Sequence, residues 1–435
     1  MKAASVSYVV AHLVALAQAA PTDIPNGLVG EDVNRGPESQ AFSVNQIHNE
    51  GFRPLDAPAA LIRAHFKYSD TLPRQLRNAI EMNPDLRSRF SSLLLAADGQ
   101  GQNGTVAAYP TPWFDTQYVV PVSIGTPPQI TYLNLDTGSA DFWTFTTDTY
   151  QPQVQGQILY DPEASNTSRP QTGERWSIRY GDGAYAAGIV YHDRVQLGRT
   201  FVDQQAVQSA IQVSYAISSD SFSSGIMGMA RSDGNTVRPT PQKTYIDNVK
   251  DSLEEPVFTA NLLKGMPGNY DFGYIDESLY NGNIEYANVT DMPSYWHINV
   301  SGFQVGSNGT YQDDTFGAIV DTGTTLLLVP EEVVSGYYSQ VPGARYNRNY
   351  GMITYPCEAR LPDFVFGIGD YRGVVPGYYI NYGGAEESRC FGGIQSSEGI
   401  PFAVLGDVLL KAQFVVFDAG RNRVGFANKD PVPEN

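Results

Sequence analysis

Leu135-Asp136-Thr137-Gly138-Ser139 and Val320-Asp321-Thr322-Gly323-Thr324 say one phrase twice in a chain of 435 residues. An apolar run leads into each copy, Ile130 to Leu135 and Phe316 to Val320. Apolar residues also follow: Phe142, Trp143 and Phe145 after the first, Leu326 to Val329 after the second. The pattern predicts a buried strand, a tight turn carrying a carboxylate, and a second buried strand. A carboxylate in such a frame is costly to bury and needs partners. Two copies imply a duplicated unit in which each half supplies one acid. A second mark repeats behind each copy: Gly225-Ile226-Met227-Gly228 and Ala403-Val404-Leu405-Gly406, where glycine lets another backbone pass closely.

Working outward, aromatic and β-branched runs between frequent Gly and Pro turns predict an all-β architecture, with a length that suits two lobes. Strands are expected at Tyr118–Ile124, Thr131–Leu135, Ala140–Thr146, Trp176–Tyr180 and Gly188–Val195. A second series is expected at Ile298–Val305, Ala318–Val320, Leu326–Val329, Phe414–Phe417 and Val424–Phe426. Short helices are expected at Thr244–Leu253 and Glu331–Gln340. The formal net charge of −18 offers no basic surface for nucleic acid.

The leading residues differ from the rest. Lys2, the apolar stretch from Val6 to Ala17 and Ala17-Gln18-Ala19 read as a signal peptide over 1–19, too short for a membrane anchor. Residues 20–107 read as a pro-segment, helical from Leu61 to Arg89 and locally basic, whereas 108–435 carries 19 basic against 36 acidic residues. The Gly/Gln/Asn-rich link from Asp98 to Thr105 suits proteolytic removal. The body divides into an N-terminal lobe, 108–285, and a C-terminal lobe, 286–435. The chain is expected to be secreted, or delivered to a vacuole, without a membrane anchor and as a monomer. The only two cysteines, Cys357 and Cys390, most simply form one disulfide. Asn103, Asn166, Asn288, Asn299 and Asn308 open N-x-S/T sequons and are candidate glycan acceptors.

If the two turns meet, Asp136 and Asp321 lie side by side, and two close carboxylates share a proton rather than both ionising. The ionised member can then take a proton from water while the protonated one donates to a carbonyl oxygen. Gly138 and Gly323 permit the turn, and the hydroxyls of Thr137, Ser139, Thr322 and Thr324 can serve the buried charge. A lone Asp-Thr-Gly is more often a local turn; duplication is what favours the paired reading. The phosphorylated aspartate of ion pumps lacks its lysine and its membrane spans here. With two His and two Cys in 108–435, no zinc set or Ser-His-Asp array is supported. No metal and no cofactor are expected.

On these motifs the chain resembles the pepsin family of aspartic endopeptidases. It is most similar to the fungal secreted subgroup typified by penicillopepsin and aspergillopepsin. Tyr270-Asp271-Phe272-Gly273, Ile380-Asn381-Tyr382-Gly383, Gly392-Gly393-Ile394-Gln395-Ser396 and Phe414-Val415-Val416-Phe417-Asp418 carry the likeness to that subgroup, and the single cysteine pair agrees with it. The resemblance implies a bilobal fold with pseudo-twofold related β lobes and a deep cleft between them. It also implies an acid endopeptidase made as a zymogen, cutting proteins and peptides near large apolar residues. By the same resemblance, Tyr180, Gly181 and Asp182 form the tip of a flap over the substrate. Trp143 supports that flap, and Lys67 of the pro-segment pairs with the two aspartates as an intramolecular inhibitor. The chain departs from the family at Ala184, Ser224, Thr325 and Ala403, which bears on specificity and local packing. The alternative is a pepsin-fold binding or inhibitor protein without catalysis; a carboxylate-pair glycosidase has only the two acids in its favour.

Overall fold

The computed structural model describes residues 42–45, 57–68, 73, 75–76, 78–79, 117–179, 184–220, 223–265, 268–386 and 388–433. The expected signal peptide, the link at 98–105, the sequon at Asn103 and the flap-tip residues Tyr180, Gly181 and Asp182 lie outside these residues.

The described body is all-β and bilobal in the pepsin manner. In the first half a seven-stranded sheet runs Val119–Ile124, Gln129–Asp136, Gly225–Gly228, Phe142–Phe145, Thr200–Val213, Tyr185–Leu197, Arg169–Arg179. In the second half a five-stranded sheet runs His297–Val300, Phe316–Val320, Ala403–Leu405, Leu327–Val329, Ile394–Ser396. The two sheets repeat one arrangement. The strand entering each aspartate pairs in parallel with the glycine-mark strand, Asp136 opposite Gly228 and Val320 opposite Leu405. That strand in turn pairs antiparallel with the strand leaving the turn. Glycine is required where the backbones cross: a Cβ on Gly228 would lie 2.6 Å from the Asp141 nitrogen, and one on Gly406 2.3 Å from the Leu326 carbonyl oxygen.

A third, six-stranded sheet joins strands from both halves in the order Phe42–Asn45, Asn269–Phe272, Val257–Asn261, Gln413–Asp418, Arg423–Asn428, Asn281–Asn288. The last of these runs across position 285/286. Phe258 and Phe417 stack at 4.6 Å within this sheet, with Trp296 edge-on to both. This aromatic contact belongs to the largest core, which draws on both sequence halves.

Most expected strands form within a few residues of their predicted ends. The run Ile298–Val305 is instead broken into His297–Val300 and Gly302–Val305, which enter different sheets. Gly302 sits at φ 152°, and a Cβ there would meet the Gln312 carbonyl oxygen at 2.1 Å. The helix expected from Leu61 starts earlier, as α1 (Ala57–Tyr68), because Pro58 is well suited to a first turn. Its buried positions Ala57, Ala60, Leu61, Ala64 and His65 form one stripe at helical spacing. With Leu76 and Ala79, its apolar members share a core with Ile319, Leu328, Phe402 and Val404 of the second half.

Cys357 and Cys390 are joined, and the bridge spans 33 residues. Closing a loop of that length stabilises by about 3–4 kcal/mol through the unfolded chain. Replacing both with serine is expected to lower the midpoint of thermal unfolding measurably, with the loss recorded by calorimetry. Asn166, Asn288, Asn299 and Asn308 are all exposed, as a glycan acceptor must be.

Candidate active site

The two parallel strand ends deliver Asp136 and Asp321 to one point, and both are fully buried. Their turns are locked reciprocally. The Thr137 amide donates to Thr322 Oγ1 at 3.1 Å, and the Thr322 amide donates to Thr137 Oγ1 at 2.9 Å. Each hydroxyl then donates into the opposite strand, Thr137 to the Val320 carbonyl at 2.8 Å and Thr322 to the Leu135 carbonyl at 2.6 Å. Buried hydroxyls thus satisfy backbone groups that the turns would otherwise strand. The duplication read in the sequence is this handshake.

Each carboxylate also has local donors. Asp136 accepts from the Gly138 amide at 2.9 Å and the Ser139 hydroxyl at 2.6 Å. Asp321 accepts from the Gly323 amide at 2.8 Å and from the Thr324 side chain. The glycines leave no room for more: a Cβ on Gly323 would stand 2.3 Å from Asp136 Oδ1, and one on Gly138 2.4 Å from Asp321 Oδ1. Gly323→Ala is therefore expected to push the carboxylates apart and lower kcat at least ~10²-fold, since misplacement on the ångström scale has that cost. The steady-state rate of the mature enzyme on a peptide substrate checks it.

Lys67, in the last turn of α1, caps the pair. Its Nζ lies 2.9 Å from Asp136 Oδ1, 3.1 Å from Asp321 Oδ1 and 2.9 Å from Asp321 Oδ2. The Tyr68 hydroxyl donates to Asp321 Oδ2 beside it, and its ring packs edge-on to Tyr295 and Phe402. Sequence reasoning named Lys67 but gave Tyr68 no role; an aromatic donor next to the pairing lysine was the available signal.

The electrostatics are unequal. Burial raises both carboxyls. At Asp321 it is overridden by Lys67, by hydrogen bonds from Asp136 and Thr324 and by Tyr68, which hold the group down to about 2. At Asp136 burial and the Asp321 charge outweigh Lys67, and the carboxyl stays above its usual range. The pair therefore splits, one member favouring the charge and the other the proton. Burial opposes the Lys67 charge, but the two aspartates outweigh it and keep the ammonium protonated above its ordinary value.

A third acid escaped the sequence reading. Asp141 is 1% exposed. Its Oδ1 accepts from Gln208 at 2.8 Å, Asn235 at 3.2 Å, and the Thr236 amide and hydroxyl at 3.0 and 2.9 Å. Burial raises this carboxyl, with the Thr236 and Gln208 bonds opposing. It braces the Asp136 turn against the 234–236 segment, and its signal was an acid inside the apolar frame of Ala140 and Phe142. Gly138, Ser139, Asp141, Arg179, Thr236 and Tyr295 line a cavity of about 100 Å³ beside Asp136, with Lys67 at its wall.

Trp143 stacks on Trp176 at 6.1 Å in the core beneath the hairpin of Arg169–Arg179 and Tyr185–Leu197. Ser224 is a structural group: its Oγ accepts from the Ile158 amide at 2.9 Å and its carbonyl from the Phe145 amide at 2.9 Å. Ala403 lies opposite Ala318 in the five-stranded sheet. Among the described residues no group of three or more His, Cys, Asp or Glu is placed to hold a metal ion, and no helix is long and apolar enough to cross a membrane.

Comparison with known proteins gives the same picture. The family described as eukaryotic aspartyl protease matches residues 117–429. The chain is 42% identical over 408 residues to endothiapepsin of Cryphonectria parasitica, covering 92% of this chain and 94% of that protein. It is 41% identical to aspergillopepsin-1 of Aspergillus oryzae, covering 90% and 93% of the two chains. It is likewise 41% identical to penicillopepsin-1 of Talaromyces stipitatus, covering 89% and 92%.

Proposed function

The chain belongs to the eukaryotic aspartyl protease family as a pepsin-type aspartic endopeptidase, a hydrolase of peptide bonds, and we propose that Asp136 and Asp321 are its catalytic pair. The observation that carries this is their convergence: two buried carboxyls with opposed proton affinities, served by matched turn donors. Water is the nucleophile. The ionised carboxylate takes its proton as the oxygen attacks the scissile carbonyl carbon, and the protonated member donates to the carbonyl oxygen. Proton transfer to the amide nitrogen then releases the amine. Thr137, Gly138, Ser139, Thr322, Gly323 and Thr324 hold the geometry.

The chain is secreted and made as a zymogen in this reading, with 20–107 as pro-segment and the body divided near 285/286. Supporting it, Lys67 and Tyr68 occupy the place where an attacking water and a scissile carbonyl must sit. The mature enzyme takes extended peptides with large apolar side chains next to the cut, under a flap bearing Tyr180, Gly181 and Asp182 and backed by Trp143. No membrane anchor and no nucleic-acid partner enter this reading, and the enzyme acts as a monomer. Relatives are named as peptidases and both motifs are intact, so the non-catalytic alternative is set aside.

The test is to hold the purified full-length chain at pH ~3 and ~7 and follow its mass and its hydrolysis of an unfolded protein, with and without the statine-type mimic pepstatin. Loss of the pro-segment, about 10 kDa, in acid together with pepstatin-blocked activity is expected; an intact, silent chain at pH ~3 contradicts the reading.

A further inference from the structure

His65 stands where the docking face of α1 calls for an apolar side chain. It continues the stripe Ala57, Ala60, Leu61, Ala64 and is 2% exposed. That stripe packs on Ile319, Leu328, Phe402 and Val404. One ring nitrogen donates to the Ser396 carbonyl. Nδ1 is the other nitrogen, and it is buried with no hydrogen-bond partner. The docked ring is therefore the neutral tautomer with its proton on Nε2. A second proton, on Nδ1, would put a cation into an apolar wall with no acceptor.

We propose that His65 is an acid-sensing release element of the inhibitory segment: protonation at Nδ1 cannot be accommodated in the docked helix, so acid lifts α1 and, two residues on, draws Lys67 off the aspartate pair. The inference rests on the zymogen reading above.

The surroundings keep the response simple. The titratable groups on α1 and on the elements around it include Lys67, Tyr68, Asp136, Asp321, Tyr382, Arg389 and the exposed Glu398. None of them acts on His65, whose basicity is lowered by burial to about 4, with the Ser396 bond alone opposing. The sign follows. A histidine less basic when docked leaves docking at full strength above its ordinary value of 6.5 and weakens it as pH falls from there to about 4. At pH 5 the weakening is ~30-fold, from the ratio of the protonated populations with values of 6.5 and about 4. Asp321, held down to about 2, is still ionised and paired at that pH. The histidine and the Lys67–Asp321 contact therefore respond in different windows, and Asp136, raised when docked, does not weaken docking as it takes its proton, so in mild acid the histidine acts first.

The test compares the wild-type proprotein with His65→Phe, which keeps a ring in the site and cannot be charged. Two readouts are taken from pH 4 to 7: hydrogen exchange over residues 57–68, corrected for the intrinsic rate, and the rate of pro-segment loss. Wild type is expected to show exchange and processing rising between pH 6.5 and 4. His65→Phe is expected to stay protected and be processed roughly ten- to thirtyfold more slowly at pH 5, yet to reach wild-type activity once converted at pH 3. His65→Gln serves the same comparison if the phenylalanine variant does not accumulate. Equal exchange profiles for wild type and the neutral variant would overturn the proposal. Because exchange needs no catalysis, a chain without peptidase activity would fail the zymogen reading while leaving this comparison readable.

Discussion

Asparagine at either position 136 or 321 is expected to lower kcat on an unfolded protein by about 10³-fold or more, because one member of an acid–base pair is then unable to exchange its proton. The substitution is close to isosteric. The Gly138 and Gly323 amides and the Ser139 hydroxyl still have an oxygen to address, and the Thr137–Thr322 handshake does not use the carboxylates. The melting temperature is accordingly expected to change little, or to rise, since one buried charge is gone. Near-normal turnover by either variant, measured on material free of wild-type enzyme, would remove the pair from the mechanism.

Lys67→Met is expected to have the next largest effect, on latency rather than on the mature enzyme. The ammonium is the compensating charge for two buried carboxyls. Removing one partner of such a buried group costs about 3–5 kcal/mol, because the remaining charge is left uncompensated. The pro-segment should therefore bind at least ~10²-fold more weakly at pH 6, and freshly purified proprotein should be cleaved or active where wild type is silent. The carboxylate share of the pH dependence should change sign as well, read against His65→Phe so that the histidine's own response is removed. In wild type, Asp321 is lowered when docked, so its contribution is present above the ordinary carboxylate range and is lost as pH falls toward about 2. Without Lys67 burial becomes the dominant influence and raises the docked carboxyl, so protonation then favours docking. Binding of the segment measured by hydrogen exchange over 57–68 from pH 3 to 7 reads both effects. A variant with wild-type latency would mean that the apolar stripe of α1, not the ion pair, holds the segment.

How much of this was legible beforehand follows from what kind of force acts where. The pair Asp136 and Asp321 could be read because a charge in an apolar frame, repeated, has few explanations; the glycine marks announced a close backbone approach, but that each pairs in parallel with its motif strand is seen only in the fold. The cysteine pair needed only composition. The break at Gly302 was not legible, since it depends on the Gln312 carbonyl, ten residues away in sequence, approaching a position where only glycine fits. Asp141 was missed for a related reason: its partners Gln208, Asn235 and Thr236 are scattered through the chain, and only the folded sheet brings them together. Tyr68 and His65 were passed over because helix periodicity gives a face but not what lies opposite it. The six-stranded sheet that mixes both halves is likewise a tertiary fact, and a duplication argument that assigns strands to one lobe or the other does not anticipate it.

The account stands most directly on one measurement, the pH dependence of kcat/KM for the pro-segment-free enzyme on a single peptide from pH ~2 to ~7, with and without pepstatin. A proton shared by two unequal carboxyls predicts a bell confined to acid, falling on the alkaline side as the second carboxyl ionises, and abolished by pepstatin throughout. Activity that climbs through neutrality and ignores pepstatin would contradict the shared-proton pair.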